Sequence, residues 1–185
     1  MKRLCIASKI HPSNNFIDNY ETVRNALKAH RIKWIEPDNL HITLKFLGPV
    51  AEERIPDIIG KLEEVRFVPY PVTLKDLGIF GSKYAPRVIW TKVNDRGETN
   101  LLANQIIDKM EAVGFPRDRQ NFVPHLTLGR IKHTNGTRYF FKKFNSVKDM
   151  FFQEDNIQDF YLYESILKKD GPEYRVLRRF PVRKI

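Results

Sequence analysis

A short motif that occurs twice constrains the fold of this chain more than any other feature of its sequence. Residues 39–44 (NLHITL) and 123–128 (VPHLTL) each lie in a segment with the alternating pattern of a β-strand, and their histidines are 84 residues apart (125 − 41). Residues i and i+2 of a strand point to the same face, so each histidine projects together with its threonine while the neighbouring apolar side chains face the core. We therefore predict two related β–α–β halves whose His–Thr pairs face one cleft.

The remaining patterns predict a single α+β domain over residues 1–185 with mainly antiparallel sheets, because strands and helices mix without strict alternation and no linker divides them. The predicted strands are 4–10, 40–47, 71–80, 87–93, 123–132, 157–167 and 174–182, with a short extended piece at 34–37. The predicted helices are 16–30, 55–65, 102–113 and 137–150. An amphipathic helix follows each His–Thr strand after a loop, as two related halves require.

Composition limits the partners and the compartment. The formal net charge of +10 favours a polyanionic partner such as nucleic acid, although surface Lys and Arg also serve solubility. The single Cys5 excludes an internal disulfide framework and suits a reducing cytoplasm. No apolar run approaches the roughly 20 residues that span a bilayer, so we expect no membrane segment. We expect a cytoplasmic protein.

The paired histidines indicate acid–base chemistry on phosphate. Imidazole titrates near neutral pH, so one of His41 and His125 can deprotonate a water while the other protonates a leaving oxygen. The hydroxyls of Thr43 and Thr127 can donate hydrogen bonds to the charge that develops on phosphorus. No Cys pair, His-x-x-x-His or acidic cluster accompanies them, so we expect no metal and no cofactor. The pattern alone leaves the order of the two histidines open, and a lone His-x-Thr is often only the polar face of a strand. The other three histidines lack a repeat partner and are expected on the surface or in loops: His11, His30 and His133.

Several blocks of this chain, in the same order, resemble the 2H phosphoesterase superfamily and within it the bacterial and archaeal RNA 2′,3′-cyclic phosphodiesterases, once called 2′-5′ RNA ligases. The blocks are 34–48, 86–90, 122–130, 162–165 and 171–174. The resemblance implies a bilobal fold with two antiparallel sheets around a central cleft and helices outside. It implies hydrolysis of an RNA-terminal 2′,3′-cyclic phosphate to a 2′-phosphomonoester, in some members with reversible 2′-5′ ligation. It also implies that His41 is the proton donor and His125 the proton acceptor, in a protein that we expect to be monomeric.

Phe46 and Arg130 each stand five residues after their histidine, where similar relatives contact substrate. The resemblance implies an aromatic contact to a base and a guanidinium contact to phosphate. Strict alternation instead places both side chains on the core side, unless a bulge redirects them. The core therefore stays an alternative for Phe46. A basic C-terminal segment either steers RNA or forms a solvated strand face: Lys168, Lys169, Arg175, Arg178, Arg179, Arg183 and Lys184.

Two other functions fit the same sequence. One is an RNA- or nucleotide-binding module that keeps the fold without catalysis. The other is the same phosphodiester chemistry on a small molecule, such as a cyclic phosphate of ADP-ribose.

Overall fold

The computed structural model describes residues 1–183, which form nine β-strands and four α-helices of an α+β fold. The strands are β1 (Lys2–Lys9), β2 (Arg31–Trp34), β3 (His41–Val50), β4 (Tyr70–Gly81), β5 (Pro86–Asn94), β6 (His125–His133), β7 (Phe151–Ile157), β8 (Asp159–Lys168) and β9 (Gly171–Pro181). The helices are α1 (Asn14–Ala26), α2 (Ile55–Leu62), α3 (Glu98–Glu111) and α4 (Thr137–Asn145). The predicted fold class is confirmed, and none of these helices is both long and apolar enough to cross a membrane.

The strands pair into two antiparallel sheets, each of which contains one of the two motif histidines. The His41 sheet has the strand order β3-β1-β8-β9, and the His125 sheet has the order β2-β6-β5-β4-β7. Counted outward from the histidine strand, β3-β1-β8-β9 corresponds to β6-β5-β4-β7, and β2 is an additional edge strand. This correspondence is the pseudo-two-fold relation that the repeated motif predicts.

One hydrophobic cluster joins both sheets to the helices. Ile42 and Leu44 of β3 and Leu126 and Leu128 of β6 are each at most 2% exposed and belong to this cluster. Helix α1 buries Phe16, Tyr20 and Val23 in it, and α3 buries residues along its whole length. The apolar members of both motifs therefore hold their strands against the core, and the alternate side chains are free to face the cleft.

The sequence predictions were wrong in two segments. The fourth helix ends at Asn145 rather than near Met150, and residues 151–157 (FFQEDNI) form the unpredicted strand β7. Among the described residues this strand pairs only with β4, and a run of four polar residues (QEDN) conceals its strand character. The extended piece expected at 34–37 is instead strand β2, which ends at Trp34, followed by a short 3-10 helix at Pro37–Asn39.

His30 lies in the loop between α1 and β2, as one of the predicted alternatives has it, but it is buried there and only 7% exposed. The backbone N–H of Asn135 donates to its Nδ1 over 3.1 Å. The imidazole packs edge-on against Phe140, with 5.2 Å between ring centroids. His30 therefore holds the C-terminal end of α1 against α4 and takes no part in the cleft.

Candidate active site

Both His–Thr pairs line one cleft of about 790 Å³ between the two sheets. His41 and Thr43 enter it from β3, and His125 and Thr127 enter it from β6. All four side chains are half-buried, as groups on a cleft wall should be. The structure thus brings together the four residues that the repeat predicts.

The two imidazoles are held in the same way. Nδ1 of His41 lies 2.7 Å from the carbonyl oxygen of Asn39, and Nδ1 of His125 lies 2.7 Å from that of Val123. A carbonyl oxygen only accepts hydrogen bonds, so Nδ1 carries the proton in both rings. Nε2 of each ring is therefore left for chemistry, as a base when the ring is neutral and as an acid when it is protonated.

A β-bulge in β3 redirects Phe46 into the cleft. Ile6 pairs with Lys45 and Ala7 with Thr43, so Leu44 is the extra residue of the histidine strand. The bulge leaves two successive residues buried, Leu44 and Lys45, and moves Phe46 to the other face, and a second register shift follows at Leu47. Phe46 is 59% exposed and lines the cleft. The core alternative for this residue is therefore wrong.

Strand β6 contains the same bulge at the equivalent position. Ile89 pairs with Gly129 and Trp90 with Thr127, so Leu128 is the extra residue. Arg130 is consequently exposed and lines the cleft. Strict alternation misplaces Arg130 for the same reason as Phe46, and the matching bulges are a further sign of the pseudo-two-fold relation.

The walls around the two histidines differ in spite of this symmetry. His41 packs edge-on against the phenol ring of Tyr174, with 4.6 Å between centroids. His125 packs edge-on against Phe80 at 4.8 Å, and the indole of Trp90 follows at 5.9 Å. The aromatic rings remove water from one side of each imidazole and limit its rotation.

Burial is the main cause that lowers the pKa of both histidines below the usual value for imidazole. The backbone bonds to Asn39 and Val123 raise the pKa of His41 and His125 and oppose this effect in part. The positive charge of Arg130 lowers the pKa of both rings further. In the free protein the imidazoles are therefore biased towards the neutral form.

The cleft also contains basic side chains that sequence reasoning did not single out. Arg3 of β1, Lys33 of β2 and Lys132 of β6 line it together with Arg130. Their alignment depends on strand pairing, so only the register could have identified them. In the described part of the chain, no three His, Cys, Asp or Glu side chains are grouped so that they could hold a metal ion.

Comparison with known proteins identifies the family of this chain. Residues 10–90 match the family described as LigT like phosphoesterase. A protein of Archaeoglobus fulgidus named RNA 2′,3′-cyclic phosphodiesterase is 41% identical over 80% of this chain and 83% of its own length. The chain belongs to the LigT-like phosphoesterase family. A Methanocaldococcus jannaschii protein of the same name is 31% identical to this phosphoesterase over 90% of this chain and 94% of its own length.

A solved structure supports the fold of this LigT-like phosphoesterase. Protein TT0787 of Thermus thermophilus superposes with a TM-score of 0.79 at 29% identity, over 98% of each chain. Together with the family match and the two archaeal relatives, this superposition confirms the resemblance to 2H phosphoesterases that the sequence blocks indicate.

Proposed function

We propose that this LigT-like phosphoesterase hydrolyses RNA-terminal 2′,3′-cyclic phosphates to 2′-phosphomonoesters without a metal ion. The observation that carries the proposal is the matched presentation of His41 and His125, whose Nδ1 atoms are both fixed by backbone carbonyls within one cleft. The names of the archaeal relatives, which are called RNA 2′,3′-cyclic phosphodiesterases, support the same substrate.

The reaction needs one base and one acid on opposite sides of phosphorus. His125 accepts a proton from water through Nε2, and the resulting hydroxide forms the new P–O bond. The bond from phosphorus to the ribose 3′-oxygen breaks, and His41 donates its Nε2 proton to that oxygen. The 2′-phosphomonoester remains. Each such proton transfer contributes about 10²–10⁴-fold to the rate.

The remaining cleft residues fit the charge and the base of this substrate. The hydroxyls of Thr43 and Thr127 donate hydrogen bonds to the non-bridging oxygens as negative charge increases in the transition state. Arg130 neutralises the phosphate, and exposed Phe46 offers a ring face to the terminal base. Removal of one donor of this kind costs about 10²–10³ in rate.

The lowered pKa values of the histidines fit these roles in different ways. A neutral His125 is a competent base over a wide pH range. His41 must be protonated to act as the acid, and the anionic phosphate favours its imidazolium form once substrate is bound, because a nearby opposite charge raises the pKa of a base. Substrate binding therefore favours the protonated form of His41 that acts as the acid.

Turnover of a defined oligoribonucleotide with a 2′,3′-cyclic phosphate end in EDTA tests the proposal. We expect hydrolysis with the 2′-monoester as the product. His41→Ala and His125→Ala should each lower kcat/KM by about 10²–10⁴-fold. His11→Ala, which changes an exposed histidine outside the cleft, is the matched control and should not change it. A 3′-monoester product, or full activity of either cleft variant, contradicts the assigned roles.

The same assay separates the alternative functions. Tight binding of every cyclic phosphate without turnover is the result expected of a binding module. A preference for the cyclic phosphate of ADP-ribose over the oligonucleotide indicates the small-molecule reaction. Joining of two RNA ends in the reverse direction would add 2′-5′ ligation.

A complete site in one chain supports a monomer, because both histidines belong to the same cleft. Light scattering after size exclusion tests this state. The cytoplasmic location stays a prediction.

A further inference from the structure

We propose that Lys33 and Lys132 form a second phosphate subsite, which binds the 5′-phosphate of the terminal nucleotide and makes the enzyme prefer RNA ends to free nucleoside cyclic phosphates. The inference rests on the proposed function and specifies its substrate as an RNA strand that continues beyond the terminal nucleotide. Both lysines line the same cleft as the two histidines.

The two lysines lie on one face of the His125 sheet beside Arg130. Lys132 is two residues after Arg130 on β6 and lines the same cleft, and in the pairing with β2 it is the extra residue of a bulge between Ile131 and His133. Lys33 is the direct partner of Arg130 on the neighbouring strand β2. Directly opposed residues of an antiparallel pair have β-carbons about 4.5–5.5 Å apart, and like charges in that position destabilise the sheet. A bound anion relieves this repulsion.

Neither lysine is neutralised within the described chain. No carboxylate of residues 1–183 lies within 4.0 Å of the ammonium group of Lys33 or Lys132. In contrast, most basic residues of β9 are paired: Arg178 contacts Glu63, and Arg179 contacts Asp159. Lys168 pairs with Glu173 at the hairpin tip, and Lys184 lies outside the described residues. These ion pairs neutralise much of the C-terminal basic segment, including Lys168, which also lines the cleft, whereas Lys33 and Lys132 remain available to a ligand.

The positions of the three cations separate two phosphate sites. Arg130 lines the cleft together with His41 and His125, so its guanidinium faces the phosphate of the proposed reaction. Lys132 lies one step further along β6, away from His125 and Thr127. A second phosphate next to the cyclic one therefore meets the two lysines.

The end of the cleft beside Lys33 is bounded by the hairpin between β8 and β9. The Lys33 Cε atom lies 3.6 Å from the position that a Cβ on Gly171 would take. The side-chain amide of Asn39 donates to the carbonyl of Pro172 over 3.3 Å, which fixes the same hairpin to the loop before His41. Lys33 thus reaches from the His125 sheet towards the His41 sheet, where the strand of RNA has to pass.

Three substrates isolate the contribution of the second phosphate. Adenosine 2′,3′-cyclic phosphate has only the cyclic phosphate. Its 5′-phosphorylated form adds one phosphate without another nucleoside, and a dinucleotide with a 2′,3′-cyclic phosphate end adds both. For the wild type we expect kcat/KM on the two larger substrates to exceed that on the smallest one. Salt should weaken this preference, because released counterions accompany the binding of each phosphate.

The decisive variant is the double substitution Lys33→Gln and Lys132→Gln. We expect the ratio of kcat/KM on the 5′-phosphorylated substrate to that on adenosine 2′,3′-cyclic phosphate to fall about tenfold. The slope of log(kcat/KM) against log salt on the 5′-phosphorylated substrate should become shallower, by about 0.7 for each phosphate that the protein no longer neutralises. The matched control is Lys28→Gln and Lys142→Gln, which removes the same charge from exposed positions outside the cleft and should leave the ratio unchanged.

The possible failures differ from one another. A wild-type enzyme that hydrolyses none of the three substrates refutes the proposed function and the subsite with it. An active wild type whose ratio is the same in the decisive variant refutes the subsite alone. An equal fall in the control variant also refutes it, because the effect then comes from net charge and not from a site. The double variant can also lower kcat/KM on the dinucleotide relative to adenosine 2′,3′-cyclic phosphate while leaving that ratio unchanged for the 5′-phosphorylated nucleoside. This result assigns the lysines to the second nucleoside and overturns the phosphate assignment.

Discussion

The substitution Gly78→Ala tests how strongly the support beneath His125 determines activity. Gly78 of β4 is paired with Trp90 of β5, and the indole lies over the glycine. A Cβ on residue 78 would lie 2.2 Å from Cζ2 of Trp90 and 2.5 Å from Cε2. Gly78 has no positive φ, so the backbone itself accepts alanine and the cost comes from this contact alone.

The size of the effect follows from that distance. Non-bonded carbon atoms prefer about 3.5–4.0 Å, so the indole has to move by more than about 1 Å. Overpacking of this kind costs about 1–3 kcal/mol of unfolding free energy. In a chain of this size, 1 kcal/mol corresponds to about 2–4 °C in Tm, so we expect Tm to fall by about 2–12 °C. Because Trp90 packs against His125 and pairs with Thr127, kcat should fall by up to about 10²-fold.

The assay combines thermal unfolding with turnover of a cyclic-phosphate-ended oligonucleotide. Gly60→Ala is the matched control, because Gly60 lies in helix α2 with no atom within 4 Å of an added Cβ. We expect that control to be stabilised by up to about 1 kcal/mol and to keep its activity. Trp90→Phe, which shortens the ring, should restore part of the stability lost in Gly78→Ala. The reasoning is refuted if Gly78→Ala retains both the wild-type Tm and the wild-type kcat.

Three further substitutions test separate parts of the structure. Arg130→Gln should lower kcat/KM by about 10²–10³-fold. Both limbs of the pH profile of kcat/KM should move to higher pH, because the guanidinium lowers the pKa of His41 and His125. Unchanged limbs would contradict an effect of the Arg130 charge on the two histidines. Burial lowers the pKa of His30. The stability that this buried, neutral imidazole contributes is therefore complete above the pKa of a histidine in the unfolded chain, and it is lost as the pH falls through the folded pKa of His30. His30→Asn should therefore reduce the loss of unfolding free energy between pH 7.5 and pH 5 in urea titrations, and an identical loss in both proteins contradicts this. Ser13→Ala removes the N-cap of α1 and should cost about 0.5–2 kcal/mol in the same titrations without changing kcat.

The residues that the sequence predicts correctly are those whose placement depends on neighbours within a few positions. His41 and Thr43, like His125 and Thr127, are two residues apart, and a single alternating strand is enough to place each pair on one face. The resemblance of the surrounding blocks to 2H phosphoesterases extends that placement to a cleft shared by both halves. Strand β7 lacks such a local signal, since its centre is a run of four polar residues (QEDN) and its pairing with β4 joins segments far apart in the chain.

The residues that strict alternation misplaces lie beyond the two bulges. A bulge arises where one strand has one residue more than its partner between two paired positions. Its position is therefore a property of the strand pair and not of either strand alone. The extra residues Leu44 and Leu128 look like ordinary members of an alternating strand, yet each inverts the faces of the residues that follow directly after it. That inversion brings Phe46 and Arg130 to the cleft. Lys132 lines the same cleft at a further register shift against β2, and the pairing of β2 with β6 adds Lys33 beside Arg130. Local sequence therefore determines the placement of the proposed acid–base pair, whereas strand register determines which side chains surround it.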